Sequence, residues 1–235
     1  MTYSILAHDP ETGAFGAAVA SRFFAVGALC TYAGGGVGTL STQALVNPMY
    51  GPDGMALLRQ GAHAGQVVEQ LVGPDPGKAQ RQLHVMDQTG RIAQHTGMAC
   101  VGWAGHLQGN HISAAGNMLA GPDVLPAMLH GFLTAPGTMA ARLLAALQAG
   151  EDAGGDKRGR QSAAVRVHTA DPYPDLDIRA DDHPDPLAEL RRLHAVSLER
   201  FAVFRRHLAG TASPWGELDR TVIDAAIARD GRPSA

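Results

Sequence analysis

The order of segments in this chain of 235 residues predicts an α/β (α+β) fold: a four-layer αββα sandwich of two stacked antiparallel sheets with helices outside. Three observations carry the prediction. Strand-like segments come in pairs joined by short turns, which is how antiparallel hairpins read. Pairs of helical segments separate those strand groups. The hydrophobic content of 45% is ample for a core, while 29 Gly and 14 Pro mark a turn-rich chain.

Taken in order, Tyr3 to His8 alternates as a strand, and Asp9 to Gly13 supplies a turn before Phe15 to Ser21 returns. Ala25 to Tyr32 and Val37 to Gln43 read as two further strands across a glycine run. Asp53 is expected to cap a helix reaching about Gly61, and a second helix follows over 65–72. Gln80 to Asp87 and Arg91 to Thr96 form a strand pair around Gln88-Thr89-Gly90, and 100–108 with 111–116 form another. Helices are predicted over 122–132 and 138–149, followed by a charged, glycine-rich loop over 150–160. Gln161 to Thr169 and Leu176 to Ala180 are the last strands. Asp185-Pro186 is a strong helix start, with Asp as N-cap and Pro at the first helical position. The amphipathic helix it opens runs from Leu187 to Phe204. A last helix covers about 218–229, with a fraying tail from Asp230. This divides the chain into a sandwich domain at 1–184 and a helical extension at 185–235 packed on the same domain.

Composition excludes several classes. A formal net charge of −3 gives no basic footprint for nucleic acid or a membrane surface. No run of eighteen apolar residues and no secretory signal pattern occurs. The cysteines, Cys30 and Cys100, have no zinc-type spacing; both are expected to be reduced and buried, in a cytoplasmic protein. The G-x-S-x-G elbow, the P-loop, the dinucleotide fingerprint and H-E-x-x-H are all missing. Neither a cofactor nor a metal is expected. Asp181-Asp182-His183 has metal-ligating side chains, but ordering the entry to the helix at Pro186 is the favoured reading.

The N-terminus carries the sharper chemistry. Loss of Met1 would leave Thr2 with a hydroxyl and a free α-amine, held at the end of a strand rather than on a loose tail. An α-amine of pKa about 7.7–8.0 can accept the hydroxyl proton near neutral pH. The plainer reading is that Thr2 is simply the residue after Met1. Polar residues collect where other strands end: Ser21-Arg22, Thr42-Gln43, His95, Asn117, and Arg160-Gln161-Ser162. Strand ends next to loops are where sites are built.

These segments resemble a family. Thr2-Tyr3-Ser4-Ile5-Leu6-Ala7, Asp9 to Gly13, Val19 to Ala28, Thr42 to Pro48, His95-Thr96-Gly97, Gly116 to Leu119, Gly155 to Ala164 and Asp181 to Pro184 look like a bacterial family of N-terminal-nucleophile (Ntn) hydrolase type, domain of unknown function 1028. The likeness covers roughly residues 1–195. It implies the αββα fold shared with proteasome β-subunits and a nucleophile at Thr2. By looser analogy, Ser21-Arg22 stands where a proteasome-type site has an acid; that acid and the lysine of the following strand are absent, which moves the cation role to Arg22.

The reading is an Ntn-type amidohydrolase of a small amide, ureido or peptide-like substrate, acting as a homo-oligomer. Thr2 attacks, its α-amine is the base, and Asn117 or N–H groups near Thr42-Gln43 stabilise the oxyanion. Ser21, Arg22, Thr42, Gln43, His95, Arg160, Gln161 and Ser162 bind substrate, with Arg22 or Arg160 pairing with a substrate carboxylate. Two rivals stand beside it: an inactive binding or assembly module of the same fold, and a hydrolase using Ser21 or Ser162.

Overall fold

The computed structural model describes residues 2–232. Ten strands form two antiparallel sheets. The larger contains β1 (Thr2–Asp9), β2 (Ala14–Ser21), β7 (Trp103–Gly109), β8 (Ile112–Leu119), β9 (Ser162–His168) and β10 (Leu176–Ala180), in the order β10-β9-β2-β1-β8-β7. The smaller runs β3 (Thr31–Gly34), β4 (Gly38–Ala44), β5 (Arg81–Asp87), β6 (Ile92–Thr96). The sheets face each other: β1 packs on β4 and β5, β2 on β3, and β5 on β8.

Helices α2 (Tyr50–Arg59) and α3 (Ala64–Val72) cover the smaller sheet, and α4 (Val124–Thr134) and α5 (Met139–Asp152) cover the larger. This is a mixed α/β fold of two antiparallel sheets and helices.

Strand alternation sorts the residues. Tyr3, Ile5 and Ala7 of β1 point toward α4 and α5 and join Met128, Leu143 and Leu147 in the largest core cluster. Leu40, Leu83 and Val85 point the other way, toward α2 and α3, and pack with Met55, Leu58 and Val67. Between the sheets, Leu6, Phe15, Ala17 and Met86 make a small apolar patch, and Val19, Val26, Cys30 and Ala164 make another. Polar residues around Thr2 and Ser4 fill the part of that layer that holds the site. Helix α6 (Pro186–Glu199) packs on α5, β9 and β10, and its Leu187 and Leu190 join the first cluster.

Several boundaries differ from the sequence expectation. Ala25 to Tyr32 is not a strand: α1 (Val26–Cys30) is a single helical turn, and β3 begins only at Thr31. Tertiary contacts set this turn. Ala25 takes a left-handed φ of 49°, its N–H donates to the Asp181 carbonyl, and the Val26 N–H donates to Ser162 Oγ. Helix α2 starts at Tyr50, so Asp53 lies in its first turn instead of capping it. The chain turns into the helix through Tyr50 N–H to Asn47 O and Gly51 N–H to Pro48 O, and Gly51 is needed there because any side chain would collide with the Tyr32 ring. The long C-terminal helix breaks at Arg200 (φ −141°, ψ −47°), leaving α7 (Phe201–Arg205) as a separate turn before α8 (Arg220–Asp230). The expected fraying starts too early: Arg232 N–H still donates to the Leu198 carbonyl, and residues 233–235 lie outside the described residues.

One glycine is a sharp test of the sheet. Gly38 opens β4 at φ +134°, and a Cβ there would run into the Met86 carbonyl of β5. Gly38→Ala is expected to cost about 2 kcal/mol or more from backbone strain and overlap. Thermal unfolding checks it, at roughly 2–4 °C per kcal/mol for a chain of this size.

Candidate active site

The central position of β1 decides what meets Thr2. In the antiparallel ladders Thr2 lies opposite Ser21 of β2 on one side and Asn117 of β8 on the other. Cross-strand partners share a face, so all three side chains point into the layer between the sheets. Thr2 Oγ1 and Ser21 Oγ are 3.1 Å apart, and Thr2 is 7% exposed.

Asn117 connects this trio to a buried polar relay whose direction follows from the donor inventory. Asn117 Nδ2 donates to Gln82 Oε1 (3.1 Å), as does Gln43 Nε2 (2.8 Å). Gln43 Oε1 accepts from Ser4 Oγ at 2.6 Å. With its proton given to Gln43, Ser4 must accept from His84 Nε2 at 2.9 Å. His84 Nδ1 is then bare and accepts from Ser113 Oγ at 2.8 Å, while Gln94 Nε2 donates to Ser113. Gln82 Nε2 closes the other branch, its two hydrogens shared among Thr96 Oγ1 and the Gly105 and Gly116 carbonyls, each 2.9 Å away. Ser4 and His84 have the spacing of a nucleophile and its base, but neither has any accessible surface. They tie the sheets together.

Burial, with repulsion from His106 second, pushes the His84 imidazole down to about 3 from its ordinary 6.5. The unfolded chain therefore takes up a proton below about 6.5 that the folded chain refuses until about 3. Stability must fall as pH drops through that window, by up to about 1.4 kcal/mol per unit from this group. His8, His106, His168 and His194 are also lowered by burial and act in the same direction. His84→Gln is expected to reduce the proton uptake on unfolding at pH 5 by about one, measured from unfolding free energies on either side of that pH.

The loop over 153–160 closes the end of the site. Gly155 O accepts from Ala120 N–H, and Asp156 bridges to Leu119 just beyond β8. The Asp156 carboxylate, its side chain fully buried, accepts from the Arg22 N–H (3.0 Å) and the Arg158 N–H (2.8 Å), and pairs with the Arg158 guanidinium (3.3 Å). It therefore links the residues flanking Ser21 and Asn117 at the start of β1. This carboxylate was hidden in the sequence inside a run read as a charged loop.

A cavity of about 370 Å³ opens beside Asn117, between the end of β4 and the 99–101 segment. Two of its wall residues, Ala44 (φ 71°) and Met118 (φ 52°), hold left-handed backbone without being glycine. Such strain is retained where surrounding structure fixes it, commonly at binding sites. Cys100, expected to be buried, is only half-buried and also lines this cavity. Cys30 is buried, its thiol pushed up to about 12 by desolvation.

Of the site residues expected from the sequence, the structure gathers Thr2, Ser21, Asn117 and Gln43. Ser162 lies opposite Ser21 on β9, where it donates to the Phe23 carbonyl and accepts from Val26 N–H, and so fixes the turn into α1. Thr42 and His95 are misplaced by strand parity. Both sit opposite Leu83, on the face toward α2 and α3, where Thr42 Oγ1 bonds the Asn47 carbonyl and His95 Nε2–H the Lys78 carbonyl. Arg22 donates to the Arg158 carbonyl. Arg160 ties α5 to the start of α6 by pairing with Glu151 (3.5 Å) and Asp185 (2.9 Å). Gln161 Nε2 holds Asp182 Oδ1.

The 181–183 segment orders a helix entry: Asp185 N–H donates to His183 Nδ1, and Asp185 Oδ1 caps Ala188 N–H. Among the described residues no cluster of His, Cys, Asp or Glu is set to hold a metal, and no helix is long and apolar enough to cross a membrane.

No curated protein matches the chain. The crystal structure of protein SPO2555 from Silicibacter pomeroyi, described as DUF1028, superposes with a TM-score of 0.86 at 35% identity, over 93% of this chain and 96% of that one. Anbu (ancestral beta-subunit) from Yersinia bercovieri gives a TM-score of 0.39 at 12% identity, over 83% of this chain and 94% of its own. The model of a family of unknown function, DUF1028, matches residues 2–190, and the chain belongs to that family.

Proposed function

We propose that this protein is an Ntn-type amidohydrolase in which Thr2, freed of residue 1, is the nucleophile. The observation that carries the reading is the setting of Thr2. It ends the central strand of its sheet, its hydroxyl lies 3.1 Å from Ser21 Oγ, and Asn117 stands opposite at the edge of a cavity. Two stacked antiparallel sheets clad by helices are compatible with an Ntn-hydrolase arrangement.

In this reading Thr2 Oγ attacks the amide carbonyl and its proton passes to the α-amine. Ser21 orients the hydroxyl. Asn117 has given one amide hydrogen to Gln82 and has the second for the oxyanion. The proton on the α-amine then goes to the departing amine, and water hydrolyses the Thr2 ester by the same route in reverse. Residues 185–235 act as an extension of the same unit. Acylation by a β-lactone, mapped by peptide mass, tests the assignment. The adduct is expected on Thr2 at the mature N-terminus; an adduct on Ser21 or Ser162 in its place would overturn it.

A further inference from the structure

We propose that the cavity beside Asn117 selects an uncharged, apolar group of the substrate, so that the amides turned over carry a neutral aliphatic or aromatic acyl side. This rests on the hydrolase reading only in placing the reacting carbonyl next to Thr2. The choice of group comes from the cavity itself.

No carboxylate, guanidinium or ammonium lines it. Ala44, Leu45, Ala99, Val101 and Met118 give most of the wall, and the polar members Gln80, Cys100 and Asn117 are all neutral. At the mouth Leu45 and Val101 are 57% and 62% exposed, so apolar surface continues outward from the cavity. Three of the cations nearby are committed elsewhere. Arg81 pairs with Asp75 at 3.0 Å and donates to the Leu45 carbonyl, Arg158 holds Asp156, and Arg22 holds a carbonyl. Lys157 is exposed; its ammonium comes near Gly102, next to Met118, but it is not among the residues that line the cavity. A charged group entering this cavity would lose its hydration and meet no partner, whereas an apolar group gains by leaving water. The strained backbone at Ala44 and Met118 gives the walls a fixed shape in advance.

The test uses the full chain with Thr2→Ala, so that amides are bound and not cleaved. Three probes of matched length differ only at the tip: hexanamide, the monoamide of adipic acid, and 6-aminohexanamide. Titration calorimetry should give hexanamide at least tenfold tighter binding than either charged probe. Butyramide, shorter by two methylenes, should bind about fifteenfold more weakly. Val101→Glu, at an exposed position that tolerates the change, should weaken hexanamide and favour 6-aminohexanamide. Equal or tighter binding of the adipic monoamide would overturn the proposal, as a cavity read by Lys157. Absence of binding by all the probes, or binding indifferent to Val101→Glu, would overturn it as well. The two readings fail separately. If the order of binding holds but Thr2→Ala leaves wild-type turnover intact, the nucleophile falls and the cavity assignment stands. If Thr2 is acylated but charged acyl groups are preferred, only the cavity assignment falls.

Discussion

Thr2→Ala should abolish amide turnover, by three orders of magnitude or more, in a protein that folds almost as well as the wild type. Loss of a nucleophile removes the covalent route altogether, which is why its cost exceeds that of a misplaced binding group. The structural cost is small because Thr2 ends a strand and its hydroxyl makes one contact of 3.1 Å, to Ser21. One such hydrogen bond is worth about 1 kcal/mol. Thr2→Ser keeps both the hydroxyl and the α-amine and should retain measurable activity. A form that cannot lose Met1 should be as inactive as Thr2→Ala, because an amide nitrogen cannot serve as the base. Rates and unfolding curves measured on the same four proteins check all of this. A Thr2→Ala protein within about tenfold of wild type would exclude Thr2, since tenfold corresponds to only about 1.4 kcal/mol of transition-state stabilisation.

The largest effect on stability is expected at Gln82. This single amide accepts from Asn117 and Gln43 and donates to Thr96 and the Gly105 and Gly116 carbonyls, all in the layer between the sheets. Gln82→Ala strands these partners without water and leaves a void. Each buried unpaired group costs about 1–3 kcal/mol, so a loss of about 3–5 kcal/mol is expected after partial rearrangement. At roughly 2–4 °C per kcal/mol, the midpoint should fall by about 6–20 °C. Gln82→Met fills the space but supplies no hydrogen bonds, and it should recover only a minor part of the loss. Recovery to within 1 kcal/mol of wild type would show that the void, and not the polar network, sets the cost. Turnover should fall in both variants, because the Asn117 amide loses the acceptor that aims it.

The hairpins were legible in the sequence because period-two alternation and Gly/Pro turns are local signals. The short helix α1 was not, because its start is set by Asp181 and Ser162, more than 130 residues away. Thr2, Ser21 and Asn117 were legible as polar residues at strand ends, but that they meet depends on β1 lying between β2 and β8, which the sequence does not show. Thr42 and His95 could not be excluded by their place at strand ends: Thr42 is one residue from Gln43, and a one-residue step turns a side chain to the opposite face of the sheet. Ser4, Gln82, His84 and Ser113 alternate with apolar residues, a pattern that does not distinguish a polar face in water from one covered by a second sheet. Here the face opposite the helices is buried as well, by the other sheet, and these residues satisfy one another there. Asp156 was obscured by its neighbours, since Lys157, Arg158 and Arg160 make the segment look like a solvated loop. Only Arg158 turns back to pair with it, and that contact is not visible in composition.

N-terminal sequencing of the purified protein tests the central claim most directly, because the whole chemistry depends on a free α-amine at Thr2. The account predicts a mature chain beginning Thr-Tyr-Ser-Ile, and a protein that turns over amides while uniformly beginning Met-Thr-Tyr-Ser would contradict it.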